Sequence, residues 1–266
     1  MDWEWDETLY AGSAGYYARG RLPYPPALTV RLHDELELNG SGRLLDVGCG
    51  PGSLTLLLAP LFAEAVGIDA DADMVAEAER QSPGSARFVH LRAEELPAGL
   101  GTFRVATLAQ SFHWLDGRRV VPALYAMLVP GGSLVHVGAT THAGDGDVPR
   151  EAIAALVRDY LGPVRRAGAG SLPAGTRSDE RELVEAYGFG DRRTIEIPRG
   201  EPFERTEDDV VASVFSLSSA APHLFGDRLE AFEADLRRLL RQASPDGRFT
   251  ERARDVTLTV WRREGG

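Results

Sequence analysis

A short apolar strand that runs into three closely spaced glycines and then into a helix is the feature that most constrains this chain. Residues 44–47 are apolar except for one acid, and Gly48, Gly50 and Gly52 follow them. Leucines at positions 54, 57, 58 and 61 then form the apolar face of a helix. Bare glycine backbone lets a ligand come close, and the N–H groups at the start of a helix face it. The stretch therefore predicts an α/β fold that binds a nucleotide-like cofactor at this turn.

Two other kinds of glycine turn do not fit these residues. A phosphate-binding P-loop needs a lysine after its last glycine, and the 266 residues contain no lysine. A dinucleotide-binding turn needs a third glycine where this chain has Ser53. Asp46, two residues before Gly48, would repel a pyrophosphate but suits a cofactor that carries an amino group. A cofactor with both an ammonium and a sulfonium, S-adenosylmethionine, is therefore favoured.

The residues around the turn resemble those of a known family. Residues 46–52, Asp-Val-Gly-Cys-Gly-Pro-Gly, resemble the first motif of class I S-adenosylmethionine-dependent methyltransferases. Residues 65–69 follow as a predicted second strand, and Asp69 lies 21 positions after Gly48. An acid at this place can accept both hydroxyls of a ribose. The resemblance covers residues 17–138 well and the remainder in outline, and it implies that Asp46 lies near the methionine part of the cofactor.

The resemblance also implies an architecture. It is a Rossmann-like, doubly wound sheet of seven strands in the order 3-2-1-4-5-7-6, with the last strand antiparallel and a helical cap. Residues 1–40 would form an N-terminal lid and the first helix, and residues 41–138 the cofactor-binding core. Residues 139–266 would supply the cap segments for the substrate and the last two strands of the sheet. The alternation of apolar and polar side chains predicts those two strands at residues 193–198 and 256–261.

Periodicity in the remaining sequence predicts several helices. They are expected at residues 27–38, 72–81, 120–128, 151–161, 208–217 and 228–240. Other strands of the core are expected at residues 86–91, 103–109 and 133–137. Residues 162–178 are rich in Gly, Ala and Pro, so we expect this stretch to be irregular and mobile.

Further cofactor contacts follow from the resemblance. Residues 17–25 resemble a segment that covers the cofactor in one branch of the family, where an arginine meets its carboxylate; Arg21 is the candidate here, and a surface arginine lying on a tyrosine is the alternative. Many relatives use an acid to accept from the adenine amine where this chain has Arg92, which moves that role to Glu94 or to the backbone of Ala93. The predicted cofactor contacts are Arg21, Asp46, Gly48, Cys49, Gly50, Asp69, Ala70, Met74, Ala93, Glu94 and Gln110.

The segment after the fourth strand, residues 110–116, faces the reacting methyl group because ligands bind beyond the carboxyl ends of parallel strands. Its His113-Trp114 pair resembles the small-molecule branch of the family, and the sequence signatures of nucleic-acid methyltransferases are missing. His113 is the candidate base for a hydroxyl or an acidic carbon. Packing against Trp114, or binding a carboxylate acceptor as a cation, are the alternatives. Tyr17 and Trp114 are the predicted substrate contacts, and Trp114 could also cover the sulfonium through a cation–π contact.

The charge and the cysteine content of the chain limit the kinds of ligand and partner that it can bind. The net charge of −11 argues against broad attraction to nucleic acid or to an anionic membrane, so a small-molecule substrate is favoured. With Cys49 as the single cysteine there is no internal disulfide and no cysteine-based zinc site, and we expect no metal. The acidic N-terminus and the short apolar runs predict a cytoplasmic protein, either a monomer or a homodimer. His142 and His223, in the cap segments, are expected to be solvated helpers at most.

The sequence thus predicts an S-adenosylmethionine-dependent methyltransferase for a small-molecule acceptor, with transfer to O, C or N. Its arginine-only, Ala- and Gly-rich composition is typical of GC-rich bacteria, in which such enzymes serve specialised metabolism. Two alternatives stay open. The protein could use the charge of the cofactor to assist a cyclisation or rearrangement, or it could bind the cofactor as a non-catalytic partner.

Overall fold

The structure, a computed structural model, describes residues 6, 8–82, 84, 86–167, 170–172 and 180–264. Its strands are β1 Arg43–Val47, β2 Glu64–Asp69, β3 Arg87–His90, β4 Phe103–Ala109, β5 Leu128–Gly138, β6 Asp145–Gly146, β7 Arg165–Ala167, β8 Gly170–Leu172, β9 Phe189–Ile197, β10 Phe203–Thr206, β11 Arg248–Arg252 and β12 Val256–Arg263. Its helices are α1 Ala14–Gly20, α2 Ala27–Leu36, α3 Ser53–Leu58, α4 Ala72–Gln81, α5 Gly117–Met127, α6 Arg150–Leu161, α7 Glu180–Ala186, α8 Glu207–Phe215 and α9 Leu229–Ala243.

The described residues form a seven-stranded sheet in the order β3-β2-β1-β4-β5-β12-β9. The five strands from β3 to β5 pair in parallel, whereas β12 is antiparallel to both of its neighbours. Counted along the chain within this sheet, the order is 3-2-1-4-5-7-6, so the predicted fold and strand order are confirmed. The direction in which the chain adds strands reverses between β1 and β4. In such sheets ligands bind at this reversal, beyond the carboxyl ends of the strands.

The sheet is buried on both faces because neighbouring residues of a strand point to opposite sides. In β1, Leu44 packs toward α2 and α3, while Leu45 packs toward α5, and both side chains are fully buried. A separate apolar cluster joins α6, α8 and α9 around Phe215, Phe225 and Phe232. The segments predicted to form the cap therefore share an apolar cluster that is separate from those of the sheet.

The cap is less purely helical than predicted. Within the described residues, β10, β11 and β6 form an antiparallel sheet of three short strands, and β7 pairs with β8 as a hairpin inside the stretch expected to be irregular. The alternation of β10 and β11 was hidden because their inward side chains include Arg205 and Glu251, which are buried charges. The expected mobility of residues 162–178 falls partly on residues 168–169 and 173–178, outside the described residues. Among the helices that the structure describes, none is both long and apolar enough to cross a membrane.

Candidate active site

Within the described part of the chain, three adjoining cavities open at the carboxyl ends of the central strands. The glycine-turn cavity is lined by Arg21, Tyr24, Asp46, Gly48, Cys49 and Gly50, among others. The Asp69 cavity is lined by Tyr10, Asp69, Ala70, Met74, Ala93, Glu94 and Trp114. The histidine cavity is lined by Tyr10, Arg21, His113, Trp114, His136, His142 and Glu180. Every residue assigned from sequence as a cofactor, substrate or catalytic contact lines at least one of these cavities.

Tyr17 and Gln110 line all three cavities. Tyr17 lies on α1, and Gln110 follows β4 with a φ of 55°, a left-handed conformation that few residues other than glycine adopt. The Gln110 side chain donates to the Tyr24 hydroxyl at 3.2 Å and to Thr141 Oγ1 at 2.9 Å. These bonds hold the side chain at the point where the cavities meet.

The glycine turn is shaped by close contacts on one side and by the cavity on the other. Gly48 has a φ of 68°, and a Cβ on it would lie 2.4 Å from Ser111 Cβ. Its N–H donates to the Ile68 carbonyl at 2.9 Å, and Ser111 Oγ donates to the Val47 carbonyl at 2.6 Å. Gly50 has a φ of 53° and leaves open backbone facing Tyr17. The turn is thus a fixed cradle of bare backbone, as a closely bound cofactor requires.

Asp46 is buried beneath this cradle. Its two carboxylate oxygens accept from Thr55 Oγ1 at 2.6 Å and from Thr107 Oγ1 at 2.7 Å. Burial raises the pKa of its carboxyl, and the two threonine hydroxyls oppose that rise. A buried acid on the wall of a cavity gains stabilisation from a cationic ligand group. Asp46 therefore suits the amino group that the sequence analysis assigned to it.

Asp69 projects into its cavity from the end of β2. Its carboxylate accepts from Gly50 N–H at 2.7 Å and from Asp71 N–H at 2.9 Å, so it fixes both the glycine turn and the start of α4. Burial raises its pKa to about 6. Ala70 and the buried Met74 line the same cavity. The cavity therefore places the Asp69 carboxylate beside an apolar wall, which suits a ribose next to a planar nucleobase.

Glu94 and Ala93 also line the Asp69 cavity. Glu94 Oε1 accepts from the N–H of Asp116 at 2.9 Å, and its second oxygen lies 3.8 Å from Arg92 Nε. The carboxylate thus already holds the segment that leads into α5. A nucleobase bound in this cavity would contact the Glu94 side chain, whose position is already fixed by these contacts.

Arg21 follows the end of α1 and lines both the glycine-turn cavity and the histidine cavity. Its Nη2 donates to the Ser216 carbonyl at 2.8 Å, and its guanidinium carbon lies 4.2 Å from the centre of the Tyr17 ring. Arg21 Nε is buried and has no hydrogen-bond partner among the described residues. A buried donor without a partner beside a cavity fits an anionic ligand group such as a carboxylate.

Cys49 lines the glycine-turn cavity, but its side chain packs behind the turn with Val75, Ala78 and Phe88. Burial raises the pKa of the thiol. The side chain therefore acts as a small apolar residue beneath the turn.

Of the three histidines that line the histidine cavity, the sequence analysis assigned only His113 to the site. His113 lies beside Trp114 in a short turn after β4, with the two rings 5.3 Å apart. His136, on β5, was not singled out because its place in an apolar strand suggests a core residue; only its position near the carboxyl end of that strand could have drawn attention to it. His142, expected to be solvated, is exposed and also lines this cavity. His223 lies outside all three cavities and is within 3.3 Å of the Ala11 carbonyl.

Burial lowers the pKa of His113, and the neighbouring His136 lowers it further. Burial also lowers the pKa of His136, while the carboxylate of Glu180 opposes that change. Both imidazoles are therefore neutral at pH 7 and able to accept a proton. In the described ranges, no group of three or more His, Cys, Asp or Glu side chains is arranged to hold a metal ion.

Tyr10 is a further residue that the sequence analysis did not assign to the site. Its ring meets Tyr17 edge to face at 6.3 Å and Trp114 at 6.0 Å. Burial raises the pKa of its hydroxyl. Tyr10, Tyr17 and Trp114 form an aromatic wall that the Asp69 cavity and the histidine cavity share.

Comparison with known proteins gives the family context. Residues 44–132 match the model of a family described as a methyltransferase domain. An uncharacterised methyltransferase of Mycobacterium bovis is 34% identical over 130 residues, which is 48% of this chain and 51% of the relative. The trans-aconitate 2-methyltransferase of Pseudomonas paraeruginosa is 33% identical over 179 residues, 65% of this chain and 56% of the relative. The matched region thus spans about half the length of these curated relatives.

Solved structures share the fold. A candidate type II methyltransferase from Anaeromyxobacter dehalogenans matches with a TM-score of 0.58 and 21% identity, over 92% of this chain and 99% of that one. The [4+2]-cyclase SpnF matches with a TM-score of 0.50 and 22% identity, over 99% of this chain and 86% of that one. Taken with the methyltransferase relatives, the family match identifies residues 44–132 as a methyltransferase domain, and the motif at Asp46 and the strand order agree with the class I S-adenosylmethionine-dependent fold.

Proposed function

We propose that the protein transfers the methyl group of S-adenosylmethionine to a small-molecule acceptor held in the histidine cavity. The observation that carries this proposal is the position of Tyr17 and Gln110, which line all three cavities. A cofactor that extends through the Asp69 and glycine-turn cavities would meet an acceptor at these two side chains. Such a meeting point is what a direct transfer between two bound molecules requires.

The residues of the two inner cavities fit the parts of the cofactor. Asp69 would accept the ribose hydroxyls, and Ala70, Met74, Ala93 and Glu94 would surround the adenine. The backbone of the glycine turn, with Asp46 beneath it, would hold the methionine part and its amino group. Arg21, with its unpaired Nε, would bind the carboxylate.

When bound, S-adenosylmethionine supplies a methyl group on a positively charged sulfur. The protein aligns the acceptor with that methyl group and excludes water, which together contribute several kcal/mol. Trp114 and Tyr17 give the region an aromatic surface that stabilises the sulfonium through cation–π attraction. His113 removes the proton of a protic acceptor.

Two relatives support a small-molecule acceptor. The trans-aconitate 2-methyltransferase and a malonyl-[acyl-carrier protein] O-methyltransferase of Enterobacter lignolyticus are named for small acids, one free and one carried by a protein. The arginine-only, Ala- and Gly-rich composition of the chain supports a bacterial source and a role in specialised metabolism.

Calorimetric titration with S-adenosylmethionine and S-adenosylhomocysteine tests the cofactor. We expect the wild type to bind both, the Asp69→Ala variant to bind them at least about tenfold more weakly, and the exposed-acid control Asp73→Ala to match the wild type. Mass spectrometry of acceptor mixtures then tests the reaction. A product one methyl group heavier, formed with S-adenosylhomocysteine, supports transfer, whereas a product of unchanged mass indicates an assisted rearrangement. Absence of cofactor binding by the wild type would overturn the proposal.

A further inference from the structure

We propose that the acceptor is a planar hydroxyl compound, a phenol or an enol, and that His136 works with His113 to bind and deprotonate its hydroxyl. This inference rests on the proposed function and names the acceptor class for the same site. It is carried by the shape of the histidine cavity, by the position of the two imidazoles and by the charges around them.

The aromatic wall gives the cavity its preference for a flat molecule. Tyr10 stands edge to face with both Trp114 and Tyr17, at 6.0 and 6.3 Å, so the three rings hold one another in place. Aromatic rings pack on planar ligands with little loss of side-chain freedom. The His113 ring lies 5.3 Å from the Trp114 ring, so a flat acceptor on this wall would lie next to that imidazole.

His136 reaches the cavity from β5, and His113 reaches it from the short turn after the neighbouring strand β4. His136 pairs in register with Leu108 of β4, and His113 follows the end of that same strand. The ring of His136 lies 6.0 Å from the ring of Phe112, which directly precedes His113. His136 is therefore held by the sheet, and His113 by the short turn that directly follows the neighbouring strand.

The charges around the imidazoles favour a neutral hydroxyl over a carboxylate. Glu180, from the start of α7, faces the same cavity and would repel an anionic acceptor. Arg21, from the end of α1, is already bonded to the Ser216 carbonyl and also faces the glycine-turn cavity. His142 also lines this cavity, and desolvation and the nearby arginines lower its pKa. His113 and His136 are themselves neutral at pH 7, and a carboxylate acceptor would need no base.

The methyl transfer needs no reactant besides the acceptor and the cofactor. His113 takes the proton of the acceptor hydroxyl as the new O–CH₃ bond forms and the S–CH₃ bond breaks. The electron pair of the broken bond stays on sulfur, which leaves as a neutral thioether. His136 hydrogen-bonds the same oxygen, and the Glu180 carboxylate stabilises the positive charge left on the imidazole pair until the proton reaches water.

The test uses 4-nitrophenol as a probe, because its phenolate absorbs at a different wavelength from its phenol. It is titrated into the complex with S-adenosylhomocysteine at a pH below the probe's own pKa. Because both imidazoles are neutral and Glu180 disfavours an anion, we expect the wild-type complex to bind it as the neutral phenol. In His113→Gln and His136→Gln we expect affinity to fall about tenfold, whereas His223→Gln should match the wild type. Benzoate, a flat carboxylate, should compete poorly.

Unchanged affinity for S-adenosylhomocysteine shows that each variant is folded, and His136→Asn serves as a second replacement. The inference is overturned if the wild-type complex does not bind 4-nitrophenol, binds it as the phenolate at this pH, or prefers benzoate. It is also overturned if the His136 variants bind 4-nitrophenol as tightly as the wild type does. In each of these cases binding of S-adenosylhomocysteine leaves the proposed function standing, whereas loss of that binding in the wild type removes the proposed function itself.

Discussion

Asp69 has its carboxylate partly used before any ligand arrives, since it accepts from the N–H groups of Gly50 and Asp71. Burial raises its pKa from 3.8 to about 6, so the folded protein binds a proton here more readily than the unfolded chain does. The ionised form, which can accept two ribose hydroxyls, is therefore lost as the pH falls through about 6.

We expect the affinity for S-adenosylhomocysteine to fall about tenfold between about pH 7.5 and about pH 5, because only about one Asp69 carboxyl in ten is ionised at the lower pH. Calorimetry across this range measures the change. Asp69→Asn should bind weakly with little dependence on pH. A wild-type affinity that stays constant across the range would contradict the assignment of Asp69.

Gly48 and Gly131 distinguish two reasons why a position requires glycine, which are backbone conformation and lack of space for a side chain. Both have positive φ, 68° and 75°, but a Cβ on Gly48 would lie 2.4 Å from Ser111 Cβ, whereas a Cβ on Gly131 has nothing within 4 Å. We expect Gly131→Ala to cost about 1 kcal/mol of unfolding free energy from backbone strain alone. Gly48→Ala should cost about 2 kcal/mol more, because Ser111 must move. Urea denaturation measures both, and equal losses would show that the close contact with Ser111 does not matter.

The site residues that could be predicted from the sequence belong to a motif of residues that lie close together in the chain. Asp46, the glycines and Asp69 stand at fixed spacing along one strand-turn-helix unit and the strand after it. Tyr10 and His136 are far apart in the chain, and each is unremarkable in its own segment. They meet at the histidine cavity through tertiary packing, so one sequence held no pattern that joined them.

Among the secondary-structure elements, helix α1 packs closely against α8 at Gly20. A Cβ on Gly20 would lie 2.3 Å from the backbone carbon of Ala212, and its φ is not in the left-handed region. Substitution there is therefore opposed by the contact between the helices and not by the backbone. Gly15, in the same helix, has nothing within 4 Å of its Cβ position.

We expect Gly20→Ala to push α1 away from α8 and so to displace Tyr17 and Arg21 from the cavities. Affinity for S-adenosylhomocysteine should fall about tenfold, which corresponds to about 1.4 kcal/mol. Gly15→Ala should leave affinity unchanged and raise stability by about 0.5 kcal/mol, since alanine favours helix. If Gly20→Ala binds as tightly as Gly15→Ala, the seating of α1 does not determine the cavities.

The elements of the core were predictable because their periodicity is simple. The helix expected at residues 72–81 and the strand expected at 103–109 coincide with α4 and β4. The cap sheet was not predictable, because β11 places the charged Glu251 where an alternating strand would have an apolar residue. A search for alternating apolar side chains does not detect a strand whose inward-facing side chain is charged.

At the scale of the whole molecule, Glu251 joins parts of the chain that lie far apart in sequence. Its carboxylate accepts from Gly144 N–H at 2.8 Å, pairs with Arg150, and pairs with Arg205 at 3.1 Å. Arg205 in turn donates to the carbonyls of Gly20 and Asp209, at 2.8 and 2.7 Å. One buried cluster therefore ties α1 and α8 to the small sheet and to α6.

We expect Glu251→Gln to lower the free energy of unfolding by about 3–5 kcal/mol, because it leaves a buried guanidinium without its counter-charge. The matched control is Glu204→Gln on the paired strand β10, where the ion pair with Arg248 is more than half exposed. That change should cost no more than about 1 kcal/mol. Thermal and urea unfolding measure both variants, and a similar small loss in each would contradict a structural role for the buried cluster.

The strand order of the whole sheet followed from the family resemblance, and the structure confirms it. The division into lid, core and cap stays a prediction. The sequence did not predict that buried ion pairs connect these segments. Arg150, Arg205 and Glu251 each look like an ordinary surface charge when read alone in the sequence.

The shared walls of the three cavities have a thermodynamic consequence. Tyr17 and Gln110 belong to all three, so a molecule that orders these side chains in one cavity changes what the next molecule finds in another. The two ligands are then linked, and the linkage must be reciprocal. S-adenosylhomocysteine should tighten the binding of 4-nitrophenol by the same factor by which 4-nitrophenol tightens the binding of S-adenosylhomocysteine, and the cofactor site thereby senses whether its acceptor is in place.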